Sequence, residues 1–458
     1  MTNRRSGAPV AQPQHSGINL HSAGPSAGAR DQGDFTMLNR CTTLAALPLI
    51  GALALGGAPA MADDVTLRLW TGGFAKEGQR TLRDIISAFE AETPGLKVED
   101  TAIAWDPYRA QISTAATLGE VPDMWVDGLM MVWQDAGITA DNADLYARLP
   151  PETVAAFAQA PIDVMEQSVG LVSFPLMGLA WTIAYNRELF AERGIEVPAE
   201  PINLEQLMEM SEQLTFDRDG DGRNDVYGYG LIGARLSSHF WNMIFYKLGG
   251  QWADLEGNLI VDQYRDQFVE ALVYMREIAE FTPGGATAAV GRTYEATRAL
   301  FAQERVAMVA DVGEIASVLA DLSPEVAEKL GFLRIDFGLN SFDNVLLGNT
   351  EHREEAFKFI EFYTDRDRMV RFNDAMGSIT PRTDVADHPM VAGNENQETL
   401  AAQLADPSGS LHPGLLLSPY AALRPHVWDA VAEVLLGGDP GEAADKAIAT
   451  MKNQFAQQ

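Results

Sequence analysis

The chain has 458 residues, 47% of them hydrophobic and 21% charged, an ordinary globular balance with length for two or three domains and large cores. Its formal charge of −31 argues against nucleic acid as a partner, which needs clustered Lys and Arg, and against attraction to anionic lipid. A single cysteine, Cys41, excludes an intramolecular disulfide and makes a Cys-based metal site implausible.

Residues 1–36 are rich in Gly, Ala, Ser, Pro and Gln with no apolar period, and read as a disordered extension upstream of the natural translation start. Met37 opens a different pattern. Arg40 supplies a positive flank, Cys41 to Leu55 an apolar run, and Ala60-Met61-Ala62 an A-x-A cleavage signal. Residues 37–62 therefore read as a secretory signal peptide cleaved near Ala62, too short for a membrane span. Cleavage removes four arginines and two aspartates, leaving the mature chain more negative still, and also removes the only thiol. Asn39 and Arg40 before Cys41 do not make a lipid-attachment signal, so a freely soluble export product is expected.

From Val65 the chain opens as strand, helix, strand. Val65, Leu67 and Leu69 alternate with polar neighbours and Trp70. Leu82, Ile85, Ile86 and Phe89 fall at i, i+3, i+4, i+7 of a helix that Thr93-Pro94-Gly95 ends, and Leu96 starts the next strand. A β-α-β start implies a parallel sheet and an α/β fold. Further helices are predicted at 204–214, 268–281, 295–303, 354–364 and 427–436. A last one carries Ala444, Ile448, Met451 and Phe455 on its core face, and short strands are predicted at 123–126 and 306–310. No fixed repeat and no long linker divides the mature chain.

In order, these segments resemble family 1 extracellular solute-binding proteins, the group that includes maltose-binding protein. The resemblance runs from Val65 to Phe455. It rests on Leu69-Trp70-Thr71-Gly72, Phe89 to Gly95, Gly119 to Trp125 with its Pro122-Asp123, and Phe174-Pro175 followed by Tyr185-Asn186-Arg187-Glu188-Leu189-Phe190. Leu300 to Met308 completes it, with Glu304 where the family has Gly. The resemblance implies a two-lobe periplasmic-binding-protein-like fold of type II, with a ligand cleft and three hinge crossings near 175–179, 339–347 and 365–376. Lobe 1 would comprise 63–177 and 341–370, and lobe 2 would comprise 178–340 and 371–458. It implies a monomeric periplasmic protein, not an enzyme, that closes on a sugar-like solute and presents it to the permease subunits of an ABC importer. The segment 330–347 lacks the family's Pro- and Gly-rich loop.

A sugar calls for aromatic platforms and for Asp, Glu and Arg that pair with adjacent hydroxyls. Trp70, Thr71 and Gly72 stand at the carboxyl end of the first strand, where open α/β sheets hold ligands; core packing is the competing reading of Trp70. Trp125 and Asp127 end another strand, and Asp311 and Glu314 follow a third. Trp428 lies about 100° off the Val427, Val431, Val434 stripe and by resemblance matches a sugar-stacking tryptophan. Arg235, Trp241 and Arg382 are further ligand-binding candidates, each with a structural alternative, and Trp105 and Tyr108 lie where the family has aromatics.

Asp217, Asp219, Asp221 and Asp225 have the opening of a calcium loop, yet Gly228 stands at the twelfth position where a bidentate Glu is needed. A solvated Asp-Gly turn is the competing reading, and no cofactor is expected beyond a structural calcium there. A secreted carbohydrate-active enzyme and a binder of a polyamine or glycerol phosphate remain as alternatives. No nucleophile elbow, His-Glu-x-x-His or phosphate loop is present to support catalysis.

Overall fold

A computed structural model describes residues 64–457, apart from positions 169, 234–236, 255–256, 407–408 and 416. The upstream extension, the signal peptide and Arg235 lie outside the described residues. No described helix is long and apolar enough to cross a membrane.

The strands are β1 (Val65–Thr71), β2 (Leu96–Ala102), β3 (Met124–Asp127), β4 (Ser173–Asn186), β5 (Tyr227–Tyr229), β6 (Val306–Asp311), β7 (Leu330–Leu333), β8 (Leu339–Leu347) and β9 (Ser410–Leu411). They join in the order β2-β1-β3-β8-β4-β6-β5, with β7 on β4 and β9 on β8. The opening β-α-β unit pairs β1 and β2 in parallel, and its helix Lys76–Glu92 buries Leu82, Ile85, Ile86 and Phe89, as their spacing requires.

β4 is one unbroken extended segment that serves two half-sheets. Its first part runs antiparallel to β8, and its last residues pair with β6 and β7. The hydrophobic core divides accordingly. One core gathers side chains from 67–177 and 342–376, the other from 180–340 and 379–451. Leu129 and Leu415 are exchanged, each packing into the core of the opposite lobe. The chain therefore passes between lobes along β4, along β8 and at Gly377. Gly377 ends the helix Arg366–Met376 in the left-handed region at φ 69°.

At that last passage two backbones nearly touch. A Cβ on Gly313 would lie 1.9 Å from the carbonyl oxygen of Gly377. A backbone atom cannot swing aside, so Gly313→Ala should lower unfolding stability by about 1–3 kcal/mol. An unchanged urea midpoint would show that this passage has slack.

Local signals set several helix starts. Asn203 and Gln206 form a reciprocal capping box at Leu204–Gln213, and Asn186 caps Arg187–Glu192. One boundary differs from the sequence expectation. The helix predicted at 427–436 begins at Tyr420 and carries Pro425 inside it. Proline reads as a break because it lacks an N–H and crowds the preceding turn. Here Tyr420, Leu423 and Val427 are all buried, and their packing holds the early turns.

Candidate functional site

Two strands, one in each lobe, finish in aspartate. Asp127 ends β3 and Asp311 ends β6, both fully buried. Each is gripped side-on by an arginine from a nearby helix. Arg109, on the helix Trp105–Leu118, reaches Asp127 through Nε at 2.9 Å and Nη2 at 2.7 Å. Arg298, on the helix Tyr294–Ala302, reaches Asp311 through Nε and Nη2 at the same distances. Backbone N–H groups of Leu129 and Val312 and the Trp133 indole complete the two clamps. Burial pushes the Asp127 carboxyl up, but Arg109 outweighs it and holds the group below its ordinary value.

Arg298 also donates to Glu314 Oε2 from both terminal nitrogens at 3.2 Å. Glu314 is nonetheless raised, chiefly by burial. Asp343, on β8 between the lobes, is pushed up to about 7 by burial and by Asp127, against the pull of Arg109. Arg109 and Glu314 are walled in by protein on nearly every side, yet each keeps part of its side chain in contact with solvent. That combination marks a narrow crevice and not a closed core.

An aromatic arc completes the crevice. Trp181 on β4 stacks on His239 at 4.2 Å, His239 lies 5.3 Å from His412, and Trp181 meets Tyr294 edge-on at 5.9 Å. Burial, with nearby His239, Arg424 and Arg109, holds His412 well below its ordinary value, so its ring is neutral. Its Nδ1 accepts from Gly414 N at 3.2 Å, which leaves the proton on Nε2. That Nε2 and the Tyr294 hydroxyl are buried with no hydrogen-bond partner among the described residues. The path closes on itself: Tyr294, Trp181, His239, His412, then Arg109, Asp343, Glu314 and Arg298 back to Tyr294. It offers unused donors, unused acceptors and one broad aromatic face.

Asp127, Asp311 and Glu314 of the sequence-derived candidates thus come together here. Trp428 is half-buried, its indole donating to Ser238 Oγ at 3.0 Å and Arg424, near His412, lying over its ring. Trp70 is half-buried and its carbonyl accepts from Tyr108. The Trp105 ring lies so close over Gly72 that a Cβ there would be 2.2 Å from it.

Four candidates belong to the interior instead. Trp125 is wholly buried against Trp133 because β3 has both faces covered. Trp241 is wholly buried, stacked on Phe245 at 4.6 Å. Thr71 is buried and donates to Asp100. Arg382 is occupied by Asp384 and the Thr364 carbonyl.

Sequence reasoning missed Arg109, Trp181, His239, Tyr294, Arg298, Asp343 and His412. The only signal for the arginines is a basic residue in the helix adjoining each strand-end Asp. An apolar void inside the first lobe is lined by Leu69, Thr71, Phe74, Val126, Phe359 and Tyr363, and by none of these.

In the Asp-rich loop, carboxylate oxygens of Asp217, Asp219 and Asp225 lie within 4.8 Å of one another, and Asp221 is outside that group. Asp217 accepts from Gly220 N and Gly222 N, and Asp225 from Arg218 N and Asp219 N. The turn satisfies its own charges with backbone donors.

Residues 75–368 match the family profile described as bacterial extracellular solute-binding protein. A Brucella abortus protein described only as a binding protein is 22% identical over 422 residues, 88% of this chain and 98% of its own length. Two solved structures share the fold. An ABC transporter solute-binding protein from Thermotoga lettingae, bound with α-D-tagatose, is 20% identical with a TM-score of 0.71, covering 85% of this chain and 99% of its own. One from Agrobacterium radiobacter in complex with ribitol is also 20% identical with a TM-score of 0.70, covering 86% and 99%.

Proposed function

We propose, from the premise that this chain belongs to the bacterial extracellular solute-binding protein family, that it captures a neutral sugar or polyol between its lobes for an ABC importer. The observation that carries this reading is the closed ring of residues at the junction of the lobes. The His412 Nε2–H and the Tyr294 hydroxyl are unpartnered among the described residues, Asp343 and Glu314 belong to the same ring, and Trp181 adds an aromatic ring. Hydroxyls and C–H faces of a sugar meet those requirements together. The neighbours with tagatose and ribitol support the same solute class.

The work done is conformational. A solute that touches both lobes binds the closed form better and draws the population toward it. Membership of an extracellular solute-binding family supports export, which this reading takes to the periplasm with a permease as partner. The chain acts as a binding protein and leaves its solute unaltered.

A thermal-shift screen of the purified protein against sugars, polyols, polyamines and glycerol phosphate tests this. A solute at a hundredfold excess over its Kd should add about 2.7 kcal/mol of apparent stability. A neutral sugar or polyol that raises Tm and is recovered unchanged supports the reading. A shift with a polyamine or glycerol phosphate alone, or a hydrolysed hit, overturns it. Calcium belongs in the same screen: if the Asp217–Asp225 loop holds it, Tm rises and solute affinity does not change.

A further inference from the structure

Four carboxyl groups, Asp127, Asp311, Glu314 and Asp343, lie along the crevice with Arg109 and Arg298 among them, while Arg424 lies over Trp428 near His412. Arg109 and Arg298 turn their side-on edges to Asp127 and Asp311, and Arg298 spends what remains on Glu314. Asp343 has no hydrogen bond and no ion pair among the described residues, although it keeps some contact with solvent. Its position is enforced. It sits on β8 opposite Met177, at the point where a bulge shifts the register of β4. The backbone of Gly128 leaves it room, since a Cβ there would fall 2.7 Å from Asp343 Oδ1. Tyr294, 8% exposed, and His412, 6% exposed, belong to the same ring and carry polar atoms without a partner among the described residues.

We propose that Asp343 is the specificity-determining acceptor of this crevice: it takes hydroxyl hydrogens from a neutral polyhydroxylated solute and excludes the anionic counterpart. The inference rests on the proposed function and deepens it. Arg109 and Arg298 are already neutralised by carboxylates and Arg424, near His412, is itself engaged, so among the described residues a carboxylate or phosphate on the solute would find no free cation opposite Asp343 and Glu314. A hydroxyl pair finds an acceptor with every lone pair available.

The groups facing Asp343 are Asp127 on β3, Arg109 and Tyr108 on the helix Trp105–Leu118, and Glu314 across the crevice with Arg298 behind it. Together with burial they hold the Asp343 carboxyl at about 7, above its unfolded value. A raised carboxyl opposes folding fully above that pH, and the penalty shrinks as pH falls below it, vanishing only near the unfolded value. The unpartnered charge is therefore a cost to stability that a structural residue would not carry.

The test compares the wild-type protein with Asp343→Asn, using D-tagatose, ribitol, glucose, galactose and mannose, and the uronic acids of the three aldoses, by titration calorimetry from pH 5 to 8. For the wild type, Kd for a neutral solute should rise up to about tenfold per pH unit below 7 as protons occupy the acceptor. The uronates should bind at least tenfold more weakly than their aldoses at pH 8. The variant should melt higher than wild type at pH 8, bind the neutral solute about tenfold more weakly and lose the pH slope. Unchanged affinity and slope in the variant overturn the assignment of Asp343. Uronates that bind the wild type as tightly as their aldoses overturn the charge selection and leave the proposed function standing. If no neutral solute binds the wild type while a uronate, polyamine or glycerol phosphate does, the proposed function itself falls.

Discussion

Arg298→Ala should cost about 3–5 kcal/mol of unfolding stability, because it strips a buried charge pair of one partner. Asp311 is fully buried and the Arg298 side chain is only 10% exposed, so water cannot replace the lost cation. Glu314 loses the same guanidinium and is left facing Asp311 and Asp343. Urea unfolding monitored by tryptophan fluorescence measures the loss. Adding Asp311→Asn to the variant should recover part of it, since the amide removes the stranded charge. A loss below about 1 kcal/mol would mean that the pair is solvated and contributes no more than a surface bridge.

Trp428→Ala should act on binding more than on folding. The ring is half-buried at the crevice edge, with Arg424 over one face and its Nε1–H on Ser238, next to His239 in the aromatic arc. Losing that hydrogen bond costs about 1 kcal/mol of stability. Losing an aromatic platform for a solute costs about 2 kcal/mol or more, a Kd raised some thirtyfold. Calorimetry with the solute identified by thermal shift decides it. Unchanged affinity would remove Trp428 from the site and leave Trp181 as the stacking surface.

The fold was legible wherever one face of an element is buried and the other is wet. Leu82, Ile85, Ile86 and Phe89 announce their helix, and Val65, Leu67 and Leu69 their strand. Legibility fails where both faces are covered. Met124, Trp125 and Val126 on β3 are all buried, so no alternation distinguishes a tryptophan facing a ligand from one facing the core. Trp241 misleads for the same reason, on a helix buried nearly all round. The helix from Tyr420 runs through Pro425, a local break signal that tertiary packing overrides.

The site was half visible. Asp127 and Asp311 could be marked because strand ends are recognisable and strand carboxyl ends hold ligands. What each carboxylate does could not be read, because its arginine lies 18 residues before it in one lobe and 13 before it in the other, on a helix whose docking angle no local pattern records. Asp343 was invisible for a stronger reason. It is one acid among 64, and what singles it out is the lack of a hydrogen-bond or ion-pair partner among the described residues once the lobes, β4 and β8 are assembled.

By itself, then, the sequence determined the α/β order, the faces of its amphipathic elements and the co-linear motifs of the family. These are properties of neighbours along the chain, where periodicity and caps act. Only the tertiary structure decided which charges neutralise one another, which tryptophans are core, and which acceptor is left unused in the crevice. Those outcomes depend on groups brought together from distant segments, where burial raises the cost of every unpaired charge.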